Sequence, residues 1–157
     1  MLSPESLKQI DKEIAKYPAD RKQSAVMAAL RIAQTEKAWL STETMDFIAH
    51  YLEMPAIAVY EVASFYNMYE LHPVGKYKIT VCTNLSCTLI GALNITEHLK
   101  KKFGIEIGET TDDGRFTLKE GECMGACGDG PLCTINNHKM LGFLTPEKID
   151  QILAELE

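Results

Sequence analysis

The sequence lacks every short motif that would let a chain of 157 residues bind a nucleotide unaided, since neither G-x-G-x-x-G nor G-x-x-x-x-G-K-[ST] occurs. It has no C-x-x-C, which removes the usual thioredoxin-type dithiol. No uncharged apolar run is long enough to cross a bilayer. The first residues, Met1-Leu-Ser-Pro-Glu-Ser6, lack the basic-then-apolar pattern of a secretory signal. These absences predict a cytoplasmic protein without direct membrane insertion. Positive charge is also short: 16 Lys and Arg against 22 Asp and Glu leave a net charge of −6, and a nucleic-acid partner would want a basic face. The longest basic run, Lys100-Lys101-Lys102, is expected in the last turn of a helix, where cations favour the negative end of the dipole. His50, His72, His98 and His138 share no metal-binding or catalytic spacing, and Ser64 and Ser86 have no base nearby. The chain therefore carries no independent hydrolytic or transferase site.

What the sequence does have is five cysteines. In a reducing compartment, clustered cysteines point to metal rather than to a disulfide framework, and an odd count leaves one over in any pairing scheme. Four fall into two close pairs, Cys82-x4-Cys87 and Cys123-x3-Cys127. Structural zinc takes four thiolates, usually from C-x2-C loops. A [2Fe-2S] cluster offers two irons with two thiolates each, so its pairs can be wider and less alike. Spacing favours the cluster without removing zinc. Gly121, Gly125, Gly128 and Gly130 around the second pair would let backbone N–H groups approach sulfur, which helps most where the charge of the centre varies. The fifth cysteine, Cys133, alternates in a predicted strand and reads as a small buried apolar residue.

Around the cysteines the chain divides. Ser3-Pro4-Glu5 looks like the start of a helix, with Leu7, Ile10, Ile14 and Tyr17 on one face. A second helix is expected from about Arg21 to Thr35, burying Val26, Met27, Leu30 and Ala33. A third, capped by Ser41, should bury Met45, Ile48, Ala49 and Leu52. A fourth, opened by Pro55, should turn Val59, Val62, Ala63 and Tyr66 inward. Proline and glycine in Leu71-His72-Pro73-Val74-Gly75 mark a break, giving an N-terminal helical domain over 1–73 and a second domain over 74–157, with His72 a linker histidine expected in contact with a neighbouring surface.

Beyond the break, Tyr77, Ile79 and Val81 alternate along a strand that delivers Cys82. A helix after Cys87 should bury Leu89, Ala92, Leu93, Leu99 and Phe103 and end at Gly104. Asp112-Asp113-Gly114 is a turn. Phe116 and Leu118 lie on a strand leading to Cys123. Segments 131–135 and 139–144 should form a hairpin about Asn136-Asn137-His138. Thr145-Pro146-Glu147 opens a last helix burying Ile149, Ile152, Leu153 and Leu156. The fold class expected is α/β.

The two cysteine pairs, together with Pro73-Val-Gly-Lys-Tyr77, Ala38-Trp39-Leu40-Ser41, Val59-Tyr-Glu-Val-Ala-Ser-Phe-Tyr66 and Gly114-Arg115-Phe116-Thr117, resemble the family of [2Fe-2S] subunits, of the E type, found in respiratory NADH:quinone oxidoreductase (complex I). The resemblance covers nearly the whole chain. It implies an N-terminal helical bundle followed by a thioredoxin-like [2Fe-2S] ferredoxin domain, with Cys82, Cys87, Cys123 and Cys127 as cluster ligands. It implies one-electron exchange with the FMN of a flavin-bearing, NADH-binding partner, of the F type in that complex. Other peripheral-arm subunits are implied as neighbours, on the inner face of the cell membrane. Similar chains serve NAD-linked hydrogenases and formate dehydrogenases. The alternative from another class is a zinc-stapled structural subunit. Such sequences often have glycine where Ala38 and Glu53 stand, and a left-handed backbone there would cost about 1 kcal/mol at each.

Overall fold

The computed structural model describes residues 1–156. Two compact units divide the chain, Met1–Pro73 and Val74–Glu157. The first is helical, with α1 (Pro4–Ile14), a 3-10 segment (Ala19–Ala25), α2 (Val26–Lys37), α3 (Thr42–Tyr51) and α4 (Ala56–Phe65). Local chemistry sets the helix starts. Ser3 accepts a hydrogen bond from the Ser6 N–H, with Pro4 behind it, and Ser41 accepts from Thr44; each cap satisfies a backbone donor that the first turn leaves unpaired. Ile10, Leu30, Leu40, Ile48, Leu52 and Val59 are among the fully buried side chains of its core.

Several inward assignments shift. The segment expected to open the second helix is a 3-10 turn with Arg21 in a non-helical conformation. The α-helix begins only at Val26, and it buries Ala29, Leu30, Ile32 and Ala33 while leaving Met27 37% exposed. Tyr17 and Tyr66, 42% and 38% exposed, lie past the ends of α1 and α4, where the helical period no longer directs them. The stripe Met45, Ile48, Ala49 and Leu52 is buried as expected. Ala38, closing α2, and Glu53, after α3, both have positive φ, 68° and 55°.

The second unit has a four-stranded sheet in the order β2-β1-β3-β4, where β1 is Tyr77–Cys82, β2 Phe116–Gly121, β3 Cys133–Ile135 and β4 Lys139–Leu141. β1 and β2 are parallel, which requires a crossover; α5 (Leu85–Leu89) and α6 (Ala92–Phe103) supply it. β3 runs antiparallel to β1, and β4 to β3. Asn136 and Asn137, both at positive φ, form the hairpin turn closed by the His138 N–H on the Ile135 carbonyl at 3.0 Å. The hairpin strands are shorter than the sequence segments around them. Helix α7 (Pro146–Ala154), capped by Thr145, lies beside α6, where Asp150 meets His98 at 2.8 Å and Lys102 at 2.9 Å. Ile95 and Leu99 of α6 and Ile149 and Leu153 of α7 join Ile79, Val81, Leu118, Cys133 and Ile135 in one core.

The helix expected directly after Cys87 is two helices. Gly91, at φ 103°, separates α5 from α6, a conformation that only glycine adopts cheaply. The break re-phases the inward face, so Leu89 and Leu93 are 77% and 49% exposed while Ile95 and Leu99 take the core positions. Gly104 closes α6 at φ 68°, with Lys100, Lys101 and Lys102 in the last turn. Among the described residues no helix is long and apolar enough to cross a membrane.

Candidate metal centre

The parallel pairing of β1 and β2 builds the site. Cys82, the last residue of β1, is level with Gly121, the last of β2. Both strands therefore release their following segments at the same edge, where the Thr83 N–H donates to the Gly121 carbonyl at 3.1 Å. From Cys82 the chain passes into α5. Asn84 caps it, its side chain accepting from the Leu85 N–H at 3.0 Å, and Thr88 Oγ1 donates to the Thr83 carbonyl at 2.9 Å. One helical turn then returns Cys87 towards Cys82, and both lie in one buried cluster. Cys87 thus lies inside a helix rather than in the loop before one.

The second pair is set by a tighter turn. Gly125 sits at φ 76° between the cysteines, and Cys127 opens a 3-10 turn that ends at Asp129. Cys123 Sγ and Cys127 Sγ are 3.6 Å apart. The pairs differ in environment. Cys82 and Cys87 are each 1% exposed, enclosed with Ala92 and Leu132 and packed by Met124 and Ala126. Cys123 and Cys127 are exposed.

Several contacts hold the two loops against each other. Asn84 Nδ2 donates to Glu122 Oε2 at 3.0 Å, joining the residues that precede α5 and Cys123. At Gly130 a Cβ would stand 3.2 Å from Cys87 Sγ and 2.6 Å from Ile90 Cδ1, so the second loop reaches the first cysteine pair only because that residue has no side chain. The Phe143 N–H donates to the Asp129 carbonyl at 2.5 Å, and the Leu144 N–H to that of Pro131 at 3.0 Å, fixing the far side of the loop. Of the other glycines singled out by sequence, Gly121 is required because a Cβ would meet Thr80 Cγ2 at 2.7 Å, and Gly125 by its φ. Gly128 has open space around it and no positive φ.

Burial, above all, pushes the Cys87 thiol up to about 11. The Cys82 sulfur, through hydrogen bond and charge, and the Cys127 charge add to the rise, while a hydrogen bond with the Leu132 backbone opposes it. A thiolate there thus needs cationic compensation. Cys133 is fully buried in the main core, in a different apolar cluster from Cys82 and Cys87, and burial pushes its thiol up to about 12. His72 is exposed. Among the described residues no three His, Cys, Asp or Glu side chains converge on a point that could hold one metal ion. The four thiols stand as two pairs. Asn84, Ile90 and Leu132 escaped the sequence reading, because what they touch is set by strand register and by the α5–α6 break.

A 143-residue stretch, 90% of this chain and 85% of the relative, is 43% identical to the E subunit of the NADH-quinone oxidoreductase of Rickettsia felis. A mitochondrial relative from Dictyostelium discoideum, NADH dehydrogenase [ubiquinone] flavoprotein 2, is 41% identical over 85% of this chain and 54% of its own length. In fold, 81% of the chain superposes on a crystal structure of an NAD+-reducing [NiFe]-hydrogenase with a TM-score of 0.70 at 21% identity, spanning 22% of that chain. The model of the thioredoxin-like [2Fe-2S] ferredoxins matches residues 10–157. With nearly all of its length covered in this way, the chain belongs to the thioredoxin-like [2Fe-2S] ferredoxin family, which indicates a [2Fe-2S] cluster.

Proposed function

We propose that the chain is the electron-transfer subunit of an NADH-oxidising module in a respiratory NADH:quinone oxidoreductase, holding its [2Fe-2S] cluster with Cys82, Cys87, Cys123 and Cys127. The observation that carries this reading is that the two segments leaving the shared edge of β1 and β2 each bring a pair of thiols, in a chain 43% identical to the E subunit of such an enzyme. Two pairs of soft donors fit two irons that each take two thiolates. When bound, such a cluster supplies reversible one-electron storage.

The chain's own residues do the rest. Cys82 and Cys87, enclosed by Ala92 and Leu132, keep water from one side of the site. Cys123 and Cys127 bring the other side to the surface, where a flavin carried by an NADH-binding partner can approach. The hydrogen bond between Cys87 and the Leu132 backbone favours negative charge on sulfur. Glu122, held by Asn84, and Asp129 are carboxylates next to the second pair, and they oppose the extra negative charge of reduction. No independent catalytic site is assigned to this chain; FMN and NADH belong to the partner. In this reading the 1–73 unit is a docking element, the 74–157 unit carries the cluster, and the assembly sits on the inner face of the cell membrane.

Purification of the native complex, followed by iron, sulfide and flavin analysis and electron paramagnetic resonance, tests the proposal. The expected result is a chain with two irons and two sulfides, silent when oxidised and paramagnetic after one-electron reduction, co-purifying with a flavoprotein. A colourless chain with stoichiometric zinc under iron-replete anaerobic conditions would replace it with a zinc-stapled structural subunit.

A further inference from the structure

We propose that, in the cluster-free chain, Cys123 and Cys127 form a reversible disulfide that closes the site to loading. Their sulfurs are already 3.6 Å apart, and a bond needs them at about 2.05 Å. Both are exposed, whereas Cys82, Cys87 and Cys133 are buried at 1%, 1% and 0% exposure. A soluble oxidant therefore meets only the second pair. The turn between and after them can give: Gly125 and Gly128 have nothing within 4 Å of where a Cβ would stand.

The oxidant class is a small-molecule disulfide such as glutathione disulfide. A thiolate of the pair attacks one of its sulfurs, the glutathione S–S bond breaks, and one glutathione thiolate leaves. The second cysteine, having lost its proton to solvent, then attacks the mixed disulfide and displaces the other glutathione. Two cysteine thiols are oxidised, one glutathione disulfide becomes two glutathiones, and the protons of the pair end on the released thiols. Only three residues lie inside the resulting ring; such a short bridge is strained and readily reduced, so thiols reopen it. The bond itself is independent of any cluster. Its consequence for loading rests on the proposed function.

The test uses the full-length chain, stripped of metal by chelation without oxygen. It is incubated with glutathione disulfide, then alkylated, denatured, digested with trypsin and sequenced by mass spectrometry. Each pair falls in its own tryptic peptide, 79–100 or 120–139. The expected product is a Cys123–Cys127 bond with Cys82, Cys87 and Cys133 still free, reversed by dithiothreitol. In Cys123→Ser the bond is lost and Cys127 retains a glutathione adduct. Separate adducts on Cys123 and Cys127 in the natural chain, a bond that includes Cys133, or earlier oxidation of Cys82 and Cys87 would overturn the proposal. Loading with iron and sulfide follows by visible absorption. The oxidised chain should stay colourless until dithiothreitol is added. If colour develops fully while alkylation after loading still finds the Cys123–Cys127 bond intact, the closing of the site is refuted, and with it the pair's assignment as ligands, while the disulfide stands.

Discussion

Replacing Ala38 by glycine should stabilise the helical unit. Ala38 closes α2 with φ 68° and is exposed, so its methyl group contributes little packing. An L-residue held in the left-handed region pays about 1–2 kcal/mol. Glycine removes that cost but gives the unfolded chain more freedom, which returns about 0.4–1 kcal/mol. The net gain is therefore roughly 0.5–1 kcal/mol. Glu53, at φ 55°, is an internal control. Its carboxylate pairs with Lys22 at 2.8 Å, and losing an exposed, solvent-screened pair of this kind offsets part of the small gain, so Glu53→Gly should come out near neutral. The assay is urea unfolding of the metal-free chain followed by fluorescence of Trp39, the single tryptophan, which lies in the same unit. A higher midpoint at unchanged slope for Ala38→Gly, and little change for Glu53→Gly, is expected. If Ala38→Gly lowers the midpoint, the strain at that cap is not what limits the unit.

Cys133→Ala should keep the visible absorption of the holoprotein and lose about 1–2 kcal/mol from a small cavity in the core; bleaching in the purified variant would make Cys133 a ligand. Gly130→Ala presses a methyl group onto Ile90 and Cys87, so chelators should strip the cluster faster, and adding Ile90→Ala should relieve much of the effect; equal stripping rates for Gly130→Ala and the natural chain would refute the contact. Asp129→Asn should raise the midpoint potential in a redox titration, because a negative charge beside the second pair is removed, and an unchanged or lower midpoint would refute its role. Glu36 has its carboxyl lowered to about 2, first by a hydrogen bond with Ser6 and next by the Ser3 N–H. A carboxylate depressed in the folded state stabilises above its unfolded value and loses that contribution as pH falls through the folded one. Glu36→Gln should therefore be less stable than the natural chain at pH 7. The two unfolding midpoints should converge as the pH drops from the ordinary 4.5 toward about 2; a gap that widens on acidification would refute it.

Much of this architecture is written in local pattern. Alternation at Tyr77, Ile79 and Val81 marks β1 and its delivery of Cys82, and Ser3, Ser41 and Thr145 mark helix starts, because caps and strand faces depend on residues within a turn of one another. The failures are matters of phase. From Cys87 to Phe103 the apolar spacing reads as one helix, but Gly91 rotates the chain and turns Leu89 and Leu93 outward. Lys78 and Thr117, on the alternating positions of β1 and β2, are buried as well, at 4% and 1% exposure, and the Thr117 hydroxyl meets the Gly75 N–H and Thr110 Oγ1, each at 2.7 Å, partners that a single-strand pattern does not encode. At the site, the pairing of near cysteines follows from spacing. The Asn84–Glu122 hydrogen bond and the approach of Gly130 to Cys87 depend on the Cys82–Gly121 register, and no single segment contains that register.

The parallel pairing of β1 with β2 also dictates a timetable for biosynthesis. A hairpin would be ready as soon as its turn left the ribosome. Here the first thiol pair, with Cys87 in α5, emerges early and must wait through α6 and the strand that follows before its opposite edge exists. Long-range parallel pairing forms slowly for the same reason. Until β2 docks, Cys82 at the end of β1 and Cys87 in α5 lack their opposite edge, and iron delivered then would find half of the proposed site. With these cysteines as the proposed ligands, loading has to follow the emergence of Cys127.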